Sequence, residues 1–432
     1  MGGRSILTVE RLVAGGFGLG RLEGRIVLLP QVLPGEEVLA EVLESKSDYL
    51  RAKPLEIINA HPHRQIPVCH LFGVCGGCQL QHLDYRLQPE MKSEAALHNI
   101  LKESKIVPTI VPSPFFYFYR ERVRFQVALI HDRLRLGFFS SGSRRLIPID
   151  FCHQLHPRIN AAIPALADWL AGMTAERGNL EMMEVLVGRP GEGLLVRLEI
   201  SGKPSTGLAR IIDRGPEGID EVRVYYSGTE GRANGLATKS EKGLTWLEIR
   251  ELGLKLTAWP NVFTQINQVG NHLLVQSALD ICRETSPKRV LDLYSGLGNF
   301  SQPAAKMAGF VTSVESNAAA VRNAKANMRA NGIRNISIRQ GETDKAVKQM
   351  VEQGERYDLV IMDPPRAGAR GLAAWLARLN PADIIYISCH PAALARDLAE
   401  FNSFGYGLRQ ITAFDMFPQT CHIEVMARLS QR

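Results

Sequence analysis

The segment RVLDLYSGLGNF, residues 289–300, opens as a strand and breaks at a glycine turn. Val290, Leu291 and Leu293 are the apolar run of a strand covered on both faces. Gly296 and Gly298 then mark a tight turn into FSQPAAKMA, which has a helix pattern. The same rhythm continues outward. FVTSVE, ISIRQ, YDLVIMDPP and DIIYISC read as further strands with helices between them. Two late β-runs, LRQITAF and HIEVMARL, follow with no helix between. Residues 259–432 are thus predicted to be an α/β unit. Its core is a Rossmann-like, doubly wound parallel sheet with a terminal hairpin.

Such sheets bind ligands beyond the carboxyl ends of their strands. Gly296 lies at the first of these ends, and Glu315 ends the next strand, where a ribose-binding carboxylate belongs. A dinucleotide site would want a third glycine near Ser301. It is missing and the turn is longer, so S-adenosylmethionine fits better. A nucleotide or a purely structural turn are the alternatives. Asp363 opens Asp363-Pro364-Pro365 at the fourth strand end and shares the crevice with Gly296. Loops of this type serve amino-methyltransferases when an aromatic residue follows the prolines. Arg366 stands there instead, which argues against an exocyclic amine target. Cys389 follows the next strand, just before a helix opened by Pro391. It is either a small buried hydrophobe or a nucleophile whose thiolate the helix start favours. Glu424 interrupts an apolar β-run, so it is either on an exposed face of the hairpin or held for a purpose.

The whole chain has 432 residues and a net charge of +7. That length predicts two or three domains. No apolar run is long enough to span a membrane, and the first residues lack a signal peptide's apolar core. A cytoplasmic protein is expected, with no obligate protein partner indicated. Residues 1–58 read as a small OB-like β-barrel, a type that often binds nucleic acid. Residues 59–258 read as an α+β middle domain, in which a helical segment at about 80–110 is a candidate to pack on the catalytic unit. Basic residues concentrate at 61–160, with thirteen Lys and Arg against seven Asp and Glu. That excess suits either a polyanion partner or a plain basic surface. Within it, YRERVRF would place Arg120, Arg122 and Arg124 on one strand face, gripping phosphates or facing solvent. Cys69, Cys75 and Cys78 have ligand-like spacing, and Cys152 can supply a fourth thiolate. Four thiolates suit zinc or an iron–sulfur cluster, and the spacing leaves both open.

Five motifs together carry a resemblance: FTQIN (263–267), LDLYSGLGNF (291–300), DPPRAG (363–368), SCHP (388–391) and DMFPQTCHIE (415–424). In this order they resemble the RNA 5-methyluridine methyltransferases, the TrmA type with its ribosomal-RNA branch. The N-terminal barrel resembles the TRAM domain. The resemblance implies a class I, S-adenosylmethionine-dependent methyltransferase acting on carbon 5 of a uridine. Cys389 would be the nucleophile and Glu424 the general base. Gln265, Tyr294, Glu315 and Asp363 would line the cofactor and uracil pocket, with Asn299 and Glu342 as further carry-overs. Cys69, Cys75, Cys78 and Cys152 would hold a [4Fe-4S] cluster. RNA would be the partner, ribosomal RNA ahead of the T-loop uridine of tRNA. Three rivals remain: a radical enzyme, a non-catalytic RNA-binding protein and a DNA cytosine methyltransferase. The first wants a C-x3-C-x2-C triplet and the last a Pro-Cys loop after the fourth strand; neither is present.

Overall fold

The computed structural model describes residues 3–102, 106–131, 133–172, 180–189, 191–201, 216–227, 233–235 and 243–432. Five strands close the N-terminal barrel: β1 (Arg4–Val13), β2 (Phe17–Leu22), β3 (Arg25–Pro30), β4 (Glu37–Ser45) and β5 (Tyr49–Asn59). Their order around it is β1-β2-β3-β5-β4. Alternation puts Leu7 and Val9, then Val27 and Leu29, into its core. Gly18 is required there, because a Cβ would lie 2.3 Å from a Val32 methyl. The buried Glu36 carboxylate ties the barrel to the next segment. It accepts from Arg64 at 2.6 and 2.7 Å and from the His61 amide.

Helix α1 (Gln88–Leu101) packs on the catalytic unit, with Leu97 in that unit's core. Two contacts fix it. The Gln88 and Gln419 amides meet at 2.9 Å, and Lys92, fully buried, pairs with Asp415 and donates to the Phe417 carbonyl at 3.1 Å. Losing one partner of such a buried pair leaves the other charge uncompensated, a cost of about 3–5 kcal/mol. After it, β6 (Thr109–Val111) joins the edge of the catalytic sheet, parallel to β21 below.

The middle unit is a seven-stranded sheet, order β13-β12-β11-β10-β7-β8-β9. Its strands are β7 (Arg122–Ile130), β8 (Arg133–Phe139), β9 (Leu146–Pro148), β10 (Leu180–Val187), β11 (Leu194–Ser201), β12 (Glu221–Ser227) and β13 (Ala233–Gly235). Helix α2 (Pro157–Ala171) covers one face with Ile159, Ile163, Leu166 and Leu170, a stripe at helical spacing. The expected open row of three arginines does not form. Arg122 is spent on Glu184, both nitrogen–oxygen distances being 2.9 Å, and on the carbonyls of Pro260 and Val262. Glu184 is buried on β10 and needs that charge. Arg120 turns to the cysteines, and only Arg124 is exposed.

The third unit begins earlier than residue 259. β14 (Leu244–Ile249) and β15 (Leu254–Ala258) pair with each other and bury Trp246, Leu247 and Leu256 in its core. Then come α3 (Gln268–Thr285), β16 (Arg289–Leu293), α4 (Ser301–Ala305), β17 (Phe310–Glu315), α5 (Ala318–Ala330), β18 (Ile336–Gln340), α6 (Thr343–Glu352), β19 (Leu359–Met362), α7 (Ala373–Leu379), β20 (Asp383–Ser388), α8 (Pro391–Ser403), β21 (Tyr406–Phe414) and β22 (Glu424–Gln431). The sheet order is β18-β17-β16-β19-β20-β22-β21-β6. The doubly wound sheet and terminal hairpin are therefore as expected. β22 inserts antiparallel between β20 and β21, which brings the late glutamate beside the cysteine strand. Cys282 is a core residue of α3. No helix among the described residues is long and apolar enough to cross a membrane.

Candidate active site

Sheet register assembles the site. Ser388 pairs with Val425 and Phe414 with Glu424, so Cys389 and Glu424 lie one step beyond a shared rung. β19 runs parallel to β20 and ends just before Asp363. The loop after Asp363 is pinned to α8. The Asp397 carboxylate accepts from the Ala369 amide at 2.7 Å and from the Tyr386 hydroxyl at 2.6 Å. Arg396 donates to the Ala367 carbonyl at 2.7 Å. Gly368 has φ +78°, and a Cβ there would lie 2.4 Å from Asp397. The pinned loop presents Arg366 beside Cys389, and both line one cavity.

Cys389 is half-buried, with α8 starting two residues later. The α8 cap is His390, whose Nδ1 accepts from the Ala393 amide at 3.1 Å. Burial raises the thiol's pKa, the negative charge of Glu424 adds to this, and Arg366 opposes it. Glu424 is 2% exposed, so it is not on an open face of the hairpin. Burial holds its pKa well above the ordinary range, and Asp363 pushes the same way. Burial also takes Asp363 up to about 7. Two carboxyls and a thiol thus share one corner with a single arginine, and adding charge to any of them resists ionisation of the rest.

Two cavities flank this corner. One, of about 50 Å³, is lined by Gln265, Tyr294, Gly296, Asn299 and Asp363, with Trp246, Phe263 and Ser295. The structure therefore gathers five of the seven expected cofactor residues here. Tyr294 has φ +61°, an outlier for a bulky residue, at the turn where β16 ends. Asn299 is held by a reciprocal amide pair with Asn271 of α3, at 2.9 Å each way. Glu315 does not line this cavity, but its carboxylate accepts from the Gly296 amide at 2.9 Å and the Asn317 amide at 2.7 Å. Glu342 is exposed, at the residue before α6 and close enough for its charge to act on Tyr294. Asp292 lies wholly buried behind the turn; burial takes it up to about 8, with Ser301 opposing and Asp363 adding. The other cavity, of about 340 Å³, opens onto Cys389 and Arg366. Its far walls are α1 (Met91, Lys92, Asn99) and the barrel turn Ala14-Gly15-Gly16. That turn is packed close; a Cβ on Gly16 would meet Cys421 at 3.0 Å.

Away from this corner, Cys69, Cys75, Cys78 and Cys152 line one cavity of about 40 Å³, with Arg120 at its edge. The Gly77 amide donates to the Cys75 sulfur at 3.4 Å. Among the described residues, no group of three or more His, Cys, Asp or Glu stands at metal-ligating geometry. Sequence reading missed Arg366 as a partner of Cys389, and Arg120 as a partner of the cysteines. The signal for Arg366 was its place directly after Pro365; that position served only to exclude an amine target.

The family described as tRNA (Uracil-5-)-methyltransferase matches residues 234–432, and the TRAM domain matches residues 6–55. Among curated proteins, the 23S rRNA (uracil(1939)-C(5))-methyltransferase RlmD of Yersinia enterocolitica is 32% identical over 429 residues, 98% of this chain and 95% of the relative. That of Shewanella amazonensis is 34% identical, covering 98% of this chain and 94% of the relative. Among solved structures, the tRNA (uracil-54, C5)-methyltransferase of Pyrococcus abyssi, in complex with S-adenosyl-L-homocysteine, matches with a TM-score of 0.74 and 25% identity. The match covers 99% of this chain and 100% of that one. With such relatives along nearly its whole length, a barrel matching TRAM and a cysteine and a glutamate meeting at the sheet rim, the chain belongs to the RNA uracil-C5-methyltransferase family.

Proposed function

We propose that the chain methylates carbon 5 of a uridine in 23S ribosomal RNA, using S-adenosylmethionine and a covalent step at Cys389. The observation that carries this is the meeting of Cys389, Glu424, Asp363 and Arg366 at one sheet corner. The wall residues suit the cofactor. Ser295 Oγ is buried on the smaller cavity's wall without a hydrogen-bond partner, and Asp363 offers negative charge toward a sulfonium. Gln265, Tyr294, Gly296, Asn299, Glu315 and Glu342 would hold it. Bound there, S-adenosylmethionine supplies an electrophilic methyl group.

Carbon 5 of uracil is too weakly nucleophilic to take a methyl unaided. The Cys389 thiolate adds to carbon 6, breaking the C5–C6 π bond and pushing the pair toward the C4 carbonyl as an enolate. Arg366 stabilises the thiolate before attack. Carbon 5 would then take the methyl as the sulfonium–methyl bond breaks and S-adenosylhomocysteine leaves. Once the sulfur is a neutral thioether, it no longer opposes ionisation of Glu424. The Glu424 carboxylate removes the carbon 5 proton, the C5–C6 double bond re-forms and the thiolate leaves. Because attack needs access to the ring face, the base must leave its stack. The enzyme would work in the cytoplasm.

Ribosomal RNA is favoured over tRNA by the curated relatives' printed substrate, with the tRNA enzyme the more distant in identity. Purified protein given equimolar 23S rRNA and unmodified tRNA transcripts is expected to place 5-methyluridine only in the former. Methylation of the tRNA alone, read by nucleoside mass spectrometry, would transfer the assignment to the T-loop.

The four cysteines are proposed to hold a [4Fe-4S] cluster. The donor set suits it in kind: four cysteines line one cavity, and the positive charge of Arg120 beside them favours thiolates. A cluster there would be structural, since methyl transfer moves no electron to or from it. Protein purified without oxygen is expected to carry iron and sulfide in equal amounts, and Cys78→Ser or Cys152→Ser to lose both. Stoichiometric zinc without sulfide would show the other thiolate-bound metal instead.

A further inference from the structure

A run of aromatic residues, SPFFYFYR (113–120), crosses the surface between the cysteine cavity and the catalytic unit. Phe115, Phe116 and Phe118 are 58%, 45% and 40% exposed, and Phe151 beside them is 45% exposed. Phe116, Tyr117, Phe118 and Phe151 form a connected set, with Phe115 beside them in the chain. Phe116 stacks on Tyr85 at 4.8 Å and 19°; Phe118 meets Phe151 edge-on at 6.1 Å, and Phe151 meets His153 at 5.0 Å. Four phenylalanine faces on water are unfavourable, and such patches mark interaction sites. Phe118 also has φ +58°, a conformation that costs free energy for a bulky residue, held by its amide donating to the His153 carbonyl at 2.8 Å. In this conformation the ring is 40% exposed.

The run leads to the reaction site. Tyr119 donates to the Pro418 carbonyl at 3.1 Å, and the Tyr85 hydroxyl binds Ser113 at the start of the run. Pro418 lies in the loop that ends at Glu424. No acidic residue lies between Ser113 and Arg120, and exposed Arg124, Arg144 and Arg145 of the same unit form no ion pair among the described residues; exposed Asp150 precedes Phe151. Exposed flat rings on a unit that also carries unpaired arginines suit a chain of nucleobases joined by phosphates better than an apolar protein surface.

We propose that this aromatic run is a stacking platform for unpaired nucleotides flanking the target uridine, so that the enzyme engages a single-stranded stretch of RNA rather than a helix. The inference rests on the RNA-methylating reading above. It requires the target uridine to lie in a segment several unpaired nucleotides long.

The test uses the full chain, a labelled single-stranded RNA carrying the target uridine, and a range of salt concentrations. Phe115→Ala and Phe118→Ala are each expected to weaken binding about 5- to 150-fold, the loss of one stacked base. The slope of log affinity against log salt should stay unchanged, since no phosphate contact is lost. KM for RNA should rise with kcat and S-adenosylhomocysteine affinity constant, and Phe118→Trp should restore binding. If the unaltered enzyme binds and methylates RNA while both alanine variants bind as tightly, the platform is wrong and the functional reading stands. If the unaltered enzyme neither binds nor methylates RNA, that reading fails and the platform with it. A dimer in sedimentation that the alanine variants dissociate, with RNA binding unchanged, would give the patch to a second copy of the chain.

Discussion

Replacing Cys389 by alanine is expected to abolish methylation, lowering kcat on the order of 10⁴-fold or more, as loss of a covalent nucleophile does. The same variant should bind RNA and S-adenosylhomocysteine as the parent does, because Cys389 is half-buried at a cavity edge rather than in a packed core. Its loss leaves no buried polar group orphaned. Serine is not a rescue: its hydroxyl ionises far too weakly to add to carbon 6 at neutral pH. The parent's own pH profile carries the same information. Burial and the Glu424 charge raise the thiol's pKa, so the thiolate is the scarce form at neutrality. kcat/KM should therefore climb with pH above 7, approaching tenfold per unit, until the thiol ionises. Arg366→Met should move that rise to higher pH, since the cation that opposes the shift is gone. A cysteine that only fills space would show neither the loss nor the profile.

Glu424→Gln is expected to stop the reaction one step later. Thiolate addition and methylation need no proton at carbon 5 removed, so both should proceed. The thioether should then persist, and a methylated protein–RNA adduct should survive denaturing electrophoresis. Turnover should fall about 10²- to 10⁴-fold, the usual worth of a positioned base. Glutamine keeps the volume of a fully buried side chain and removes a carboxyl that burial and Asp363 hold in an unfavourable state. The folded protein should tolerate it, which separates catalytic from structural loss. Rapid turnover by this variant, with no adduct, would take the base role from Glu424 and give it to Asp363, the other carboxyl at that corner.

Much of this was legible in the sequence because α/β units announce themselves. The apolar runs of β16, β17, β19 and β20 are buried on both sides, so they read as strands without alternation. The DPPRAG, SCHP and late glutamate motifs sit at strand ends, and the sheet register then brings them together. What did not read was set by long-range pairing. Nothing local in LTWLEI or LKLTA, residues 244–258, shows that Trp246 and Leu256 belong to the catalytic core rather than to the middle sheet. Strand alternation in YRERVRF was read correctly for Val123 and Phe125. The role of Arg122 was not, since its partner Glu184 lies 62 residues away. Arg366 was visible only as a residue that is not aromatic; its place beside Cys389 follows from how Asp397 pins the loop. The barrel turn at Gly15 and Gly16 gave no sign that it would wall the cavity above Cys389.

The central claim is that the Cys389 sulfur bonds to carbon 6 of a uracil. Incubation of the unaltered enzyme with S-adenosylmethionine and RNA carrying 5-fluorouridine at the target tests it most directly, because fluorine cannot leave as a proton and the adduct is trapped. Digestion and mass spectrometry should find one nucleotide, methylated and fluorinated, on the peptide that contains Cys389. The same mass on a peptide bearing Cys421, or a trapped complex undiminished in Cys389→Ala, would contradict the account.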